Sequence, residues 1–410
     1  MKRDIIYIVG QPDPQSETAQ AIRRLGYRSG ILLDRQLTLS HPEEYDRIEK
    51  VDFSNLTSEL ERLSHSDLSV AGLVCTYENY VVAKASLADH FGVAGLSVES
   101  ARLSTDKSLM RRAFLDKNPA ISPDFALIDS VDTALAYART HRYPLIIKPT
   151  NLVKSLLVLT CHNEADLVEK VSYALSTIDD LYRKYHIYDR SPQLIIEDFI
   201  TGQQCSIAAF VDATGVPHFC EGIVGLKNAQ EIGRDDNFLY SRTVPLHLPE
   251  ALTTQLFDVA RQGIEALKMT SVPAHVELMY GPDGVKLIEI GARIGGYRPR
   301  MYRYSHDLDL TTQEVRLSIG EQPQLTGRLQ QHCAVFELFA ESEGAFVRVS
   351  GDFRPQDFTY YRETVRPEQK TGPAKQGYKA AAIVIVTHED EEAFASLCQT
   401  VDQLRVEVLS

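Results

Sequence analysis

Residues 275–301, HVELMYGPDGVKLIEIGARIGGYRPRM, consist of two short apolar runs separated by Gly-Pro-Asp-Gly, with one glutamate in the middle of each run. The alternation and the turn residues predict a β-hairpin. An apolar setting makes Glu277 and Glu289 costly unless positive charge meets them, so a fold that buries this hairpin must bring cations to it. Whether the two carboxylates meet depends on register. A turn of three or five residues sets Glu277 opposite Glu289, with Cβ atoms roughly 4.5–5.5 Å apart; two or four residues send them to opposite faces, because side chains alternate along a strand.

The plain alternative is a half-exposed hairpin with two solvated carboxylates. Against it stand the apolar flanks, the GARIGG segment that follows, and arginines at 293, 298 and 300. Carboxylates held close together, beside glycines that let backbone and ligand approach, suit oxygen-ligated Mg²⁺ bound jointly with phosphates. A guanidinium just past the second strand suits a transferring phosphoryl group.

The rest of the chain supplies the setting. At 410 residues it exceeds the roughly 250–300 at which single cores stop growing, so several packed units are expected. Acidic residues outnumber basic ones, 56 to 43, for a net charge of −13, and no basic stretch interleaved with aromatics is present; a nucleic-acid partner is not expected. Six cysteines lie far apart with no CxxC pair, which points to ordinary buried thiols and no zinc site. The apolar stretch of MKRDIIYIVG is too short for a signal peptide and reads as a first strand. AAAIVIV, at 380–386, falls well short of the ~20 residues that span a bilayer. A cytoplasmic protein without a membrane partner is expected.

Residues 1–100 alternate short apolar runs with helical patterns, the mark of an α/β unit with a parallel, Rossmann-like sheet. The first strand is followed by GQPDPQS rather than GxGxxG, which removes the main support for dinucleotide binding. Residues 101–325 form a second region, containing a small α+β unit over about 120–200, and residues 326–410 a C-terminal α+β region. In STDKSLMRRAF, Ser104 or Thr105 is expected to cap a helix, which places Lys107 in its first turn. A lysine there opposes the helix dipole unless an anion is near, a plain solvated lysine being the alternative. YPLIIKPT reads as a strand ending in Lys148-Pro149.

These segments together resemble the ATP-grasp carboxylate ligases. In that family a strand-borne HxE precedes EiNaRxGG, and here HVE (275–277) precedes EIGARIGG (289–296). The family's first lysine resembles Lys107 in TDKSLMR and its second Lys148 in PLIIKP. The adenine-contacting hinge resembles EDFITG, from Glu197 through Phe199 to Gly202, and the ribose-contacting acid resembles Gln204. The resemblance implies an ATP-grasp fold with a lid over about 120–200. It implies ATP with Mg²⁺, or Mn²⁺ in its place, as cofactors, Glu277 and Glu289 as metal ligands, and the lysines on the phosphates. Arg293 would act catalytically on the phosphoryl group and the intermediate. The implied reaction passes a small carboxylate, as an acyl phosphate, to an amine, releasing ADP and phosphate. Among such ligases the first domain resembles the dipeptide-forming branch, so the acid is expected to be an amino acid. Glu78, just past a strand end, could then hold the substrate amine, or be an ordinary helix-entry carboxylate.

The sequence departs from the family in three places. Gly291 replaces the asparagine that completes the second metal site. The loop after Lys148, TNLVKSLLV, lacks glycine, leaving Ser155 as the matching lid residue and Lys154 as a substitute charge. Gln204 is neutral where the family is acidic. Two readings besides the ligase therefore stay open: a nucleotide-binding regulator without turnover, and a biotin-dependent carboxylase component suggested by ALKM at 266–269, although Lys268 ends a helical pattern rather than a hairpin. Homo-oligomers remain compatible with the sequence.

Overall fold

The computed structural model describes residues 3–13, 16–152, 156–184, 187, 190–234, 236 and 238–409. Ile5–Gly10 is buried along its whole length because it lies inside a parallel sheet, between Arg28–Asp34 and Val70–Val74, with Arg47–Val51 at the far edge. Gly10 has φ 91°, and a Cβ there would fall 2.2 Å from the Tyr80 ring. Tyr80, held by a hydrogen bond from its hydroxyl to Asp34, packs against Gly10 at this strand end.

A four-stranded antiparallel sheet lies between residues 125 and 198, in the order Phe125–Ile128, Leu194–Asp198, Leu145–Pro149, Leu159–Cys161. Helices Val131–Ala138 and Glu164–Lys184 pack on it around Leu145, Ile147, Leu167 and Val171.

The largest sheet has nine strands. It runs from Gly284–Gly291 through Val272–Gly281, Gln203–Val211, Val224–Asn228 and Leu239–Val244, then on through His332–Leu338, Ala382–His388 and Tyr360–Glu363; Pro217–Phe219 pairs off this path. Helix Glu250–Ala266 covers one face with Leu256, Ala260 and Ile264 against Val276, Leu278, Leu287 and Ile290. Helices Arg298–His306 and Leu310–Ser318 contribute Met301, Tyr302 and Leu310 to a cluster with Ala208, Val224 and Val335. The C-terminal residues are shared between this sheet and a three-stranded one, Lys370–Thr371, Gly344–Ser350, Arg405–Leu409.

All six cysteines are free. Among the described residues no helix is long and apolar enough to cross a membrane.

Candidate active site

The hairpin turn holds two residues, Pro282 and Asp283, between paired Gly281 and Gly284. By alternation alone a two-residue turn separates the two glutamates, yet Glu277 stands directly opposite Glu289. The register shifts by one residue between Glu277 and Leu278, where Ile288 is the extra residue of a β-bulge. The bulge satisfies the core: Val285, Leu287, Ile290 and Ala292 are all buried, and the odd step from 287 to 290 fits one face only if a residue is skipped. The carboxylates share a face as a consequence.

Each glutamate has its own support. The Glu277 Oε1 lies 3.0 Å from His275 Nε2, and Oε2 accepts a hydrogen bond of 3.1 Å from Gln204 Nε2. Burial opposes ionisation of Glu277, but the His275 hydrogen bond, with Arg298 and Arg293 nearby, brings its pKa down to about 2. Burial also keeps His275 neutral, with Nε2 donating and Nδ1 buried without a partner. Ser206, paired with Glu277 across the sheet, accepts a 2.7 Å hydrogen bond from the buried Arg298. Glu289 Oε2 lies 3.2 Å from Lys107 Nζ, which also donates to the Leu152 carbonyl.

Lys107 opens helix Lys107–Lys117. The expected cap is corrected: Asp106, not Ser104 or Thr105, accepts from the Ser108 and Leu109 amides, because its short carboxylate reaches both free N–H groups. Glu289 supplies the anion that a lysine in the first turn calls for.

Lys148 ends its strand beside Glu197 on the neighbouring strand, Nζ to Oε2 2.6 Å. Arg111, completely buried one turn beyond Lys107, donates to both Glu197 oxygens at 2.8 and 3.3 Å. Burial pushes the Lys148 ammonium down to about 8 despite Glu197. Burial also penalises the Glu197 charge, but the two cations outweigh it and hold that carboxyl below its usual range.

Two lysines, Glu197 and two opposed carboxylates thus come from a helix, the four-stranded sheet and the nine-stranded sheet. A family model described as the ATP-grasp domain matches residues 141–299. The chain has an ATP-grasp domain. Its whole fold matches the crystal structure of L-amino acid ligase from Bacillus licheniformis with a TM-score of 0.81, 16% identity and 100% of each chain covered. In sequence it is 23% identical over 362 residues to protein y4rH of Sinorhizobium fredii, covering 86% of this chain and 71% of that one. It is 29% identical over 220 residues to the phosphoribosylamine–glycine ligase of Methanobrevibacter smithii, covering 49% and 47%. The chain thus spans about half the length of that ligase.

Gly291 has no side chain, which leaves room for a residue of the helical turn Glu78–Tyr80. Glu78 reaches in, and a Cβ on Gly291 would lie 3.2 Å from its Oε2. Arg293 Nε is 2.8 Å from the same oxygen in an ion pair, and both Glu78 oxygens are buried without a hydrogen-bond partner among the described residues. Burial pushes the Glu78 carboxyl up; Arg293 opposes this and Glu289 adds to it.

The structure therefore brings Lys107, Lys148, Glu197, Gln204, Glu277, Glu289, Glu78 and Arg293 into one network. Phe199 stands 40% exposed beyond the Glu197 strand, outside that network. Ser155 and Lys154 lie outside the described residues. Lys268 follows a helix end and pairs with Glu99 on the surface. The sequence reading missed Arg111 as a site residue; its i+4 spacing from Lys107, on the same helix face, was the available signal. Glu277 and Glu289 offer carboxylate oxygens, ligands that fit Mg²⁺ or Mn²⁺.

Proposed function

We propose that this ATP-grasp protein is an ATP-dependent ligase that joins a small carboxylate, an amino acid, to an amine and releases ADP and phosphate. The observation that carries the reading is the facing pair Glu277 and Glu289 with the Lys107 ammonium against it. Opposed carboxylates repel; Lys107 stands against Glu289 and Arg293 and Arg298 lie near Glu277, and a divalent cation bound between the two carboxylates would offset the repulsion that remains between them.

Glu277 and Glu289 would hold Mg²⁺ or Mn²⁺, which when bound neutralises charge on phosphate oxygens. Lys107 and Lys148 meet the phosphates as point charges. Glu197 and the hinge after it orient the base, and Gln204 offers a neutral partner to the ribose hydroxyls. Arg293 steadies negative charge where the substrate carboxylate attacks the terminal phosphate. The resulting acyl phosphate passes its acyl group to the amine, and phosphate leaves. Glu78, with two buried oxygens lacking donors, suits a substrate ammonium, which brings three N–H groups.

A panel of amino acids and amines, followed by ADP release, tests the reading. With the substrate carboxylate ¹⁸O-labelled, one label should pass into phosphate as the amide forms. AMP as product, or unlabelled phosphate, rules the acyl-phosphate route out. Gly291 favours a second reading, a nucleotide-binding regulator; tight ATP binding with no ADP from any pair would support it.

A further inference from the structure

Arg111 touches two parts of the site that are far apart in sequence. Its Nε and Nη2 donate to Glu197, and Nη2 also donates, at 2.8 Å, to the main-chain carbonyl of Ile288. Ile288 is the bulge residue immediately before Glu289. A bulge leaves its extra residue out of regular pairing, and here the guanidinium takes up the carbonyl. One nitrogen is thus shared between the hinge carboxylate and the segment that presents a cation ligand. The third nitrogen, Nη1, is buried without a partner, so the side chain is held by these two contacts.

The sharing has a mechanical consequence. A hydrogen-bond donor that reaches Glu197 draws on the acceptor capacity that Arg111 and Lys148 now use. Nη2 then binds Ile288 more strongly and holds the bulge, and with it the Glu289 carboxylate, more firmly. We propose that Arg111 is a positioning residue that couples nucleoside binding at Glu197 to divalent-cation binding at Glu277 and Glu289. The inference rests on the nucleotide site proposed above and adds a path between its two ends. Lysine cannot replace the residue: an ammonium lacks the planar fork that spans a carboxylate and a carbonyl together.

Adenosine tests this, because it carries no phosphate to ligate a metal directly. Mn²⁺ binding is titrated by electron paramagnetic resonance with and without saturating adenosine. Wild-type protein should bind Mn²⁺ about fivefold more tightly with adenosine present, the lower end of ordinary site-to-site coupling. Arg111→Lys and Arg111→Met, each checked for native circular dichroism, should bind Mn²⁺ equally with and without the nucleoside. Glu265→Gln, which removes a surface ion pair with Lys117 at the far end of the same helix, should keep the coupling. A residue needed only for stability would lower the melting temperature and leave the ratio intact. Coupling that survives in Arg111→Lys, or wild-type protein that binds both ligands independently, overturns the role of Arg111. Wild-type protein that binds neither overturns the nucleotide site, and the coupling with it.

Discussion

Glu277 lies directly across the hairpin from Glu289, and Ile288 is the residue that makes this so. The two carboxylates are like charges held face to face, and their neutralisation by a cation is where ligand binding should show strongly. Glu289→Gln and Glu277→Gln should each lower MgATP turnover by about 10²-fold, the usual cost of one preorganised electrostatic contact. The double variant should lose less than the product of the two, since both act on one cluster. Single-turnover ADP formation measures it, and full activity in either folded variant would remove the metal-site assignment.

Nucleotide affinity should depend on pH through Lys148. Its ammonium, depressed to about 8 by burial, is charged below that pH and neutral above it. A bound phosphate raises the pKa, so affinity is fully present below about 8 and declines as pH rises further, by at most about one decade per pH unit. Calorimetric titration of ADP from pH 6.5 to about 9.5 would show this. Lys148→Arg, always charged, should give a flat profile across that window.

Gly291→Asn should not rescue a second metal site, although it restores the residue found in the resembling family. A Cβ there meets Glu78 at 3.2 Å and Arg293 at 3.8 Å. The added bulk should cost about 1–3 kcal/mol in urea unfolding and weaken Mn²⁺ binding. In a Glu78→Ala background, which itself loses the Arg293 ion pair, the same substitution should cost less stability than in the wild type; equal costs in the two backgrounds would show that the space is not shared.

Gly295→Ala should act on Glu277 indirectly. A Cβ at 295 would lie 2.5 Å from His275 Nδ1, so the ring that donates to Glu277 must move. Divalent-cation affinity should fall several-fold, on the order of one lost charge-assisted hydrogen bond, with the nucleoside affinity unchanged. Adenosine and Mn²⁺ titrations on the same variant separate the two.

The sequence by itself determined what depends on near neighbours. The apolar alternation of 275–291, the strand ending in Lys148-Pro149 and a helix with Lys107 in its first turn were legible because strand and helix periods repeat within a few residues. The bulge was written there as well, in the odd step from Leu287 to Ile290, but its effect on the glutamates depended on which residues the helix Glu250–Ala266 would cover. The cap was not legible: Ser104 or Thr105 was expected, whereas Asp106 accepts from the free amides of the first turn. Only the tertiary structure decided the rest. Arg111 meets Glu197 and Ile288, 86 and 177 residues away, and Glu78 fills the space beside Gly291 from the helical turn Glu78–Tyr80 that follows a strand of the parallel sheet. Such contacts follow from packing elements distant in sequence against one another: a buried charge takes whichever opposite charge or carbonyl the fold brings within reach, and no local period records which one that is.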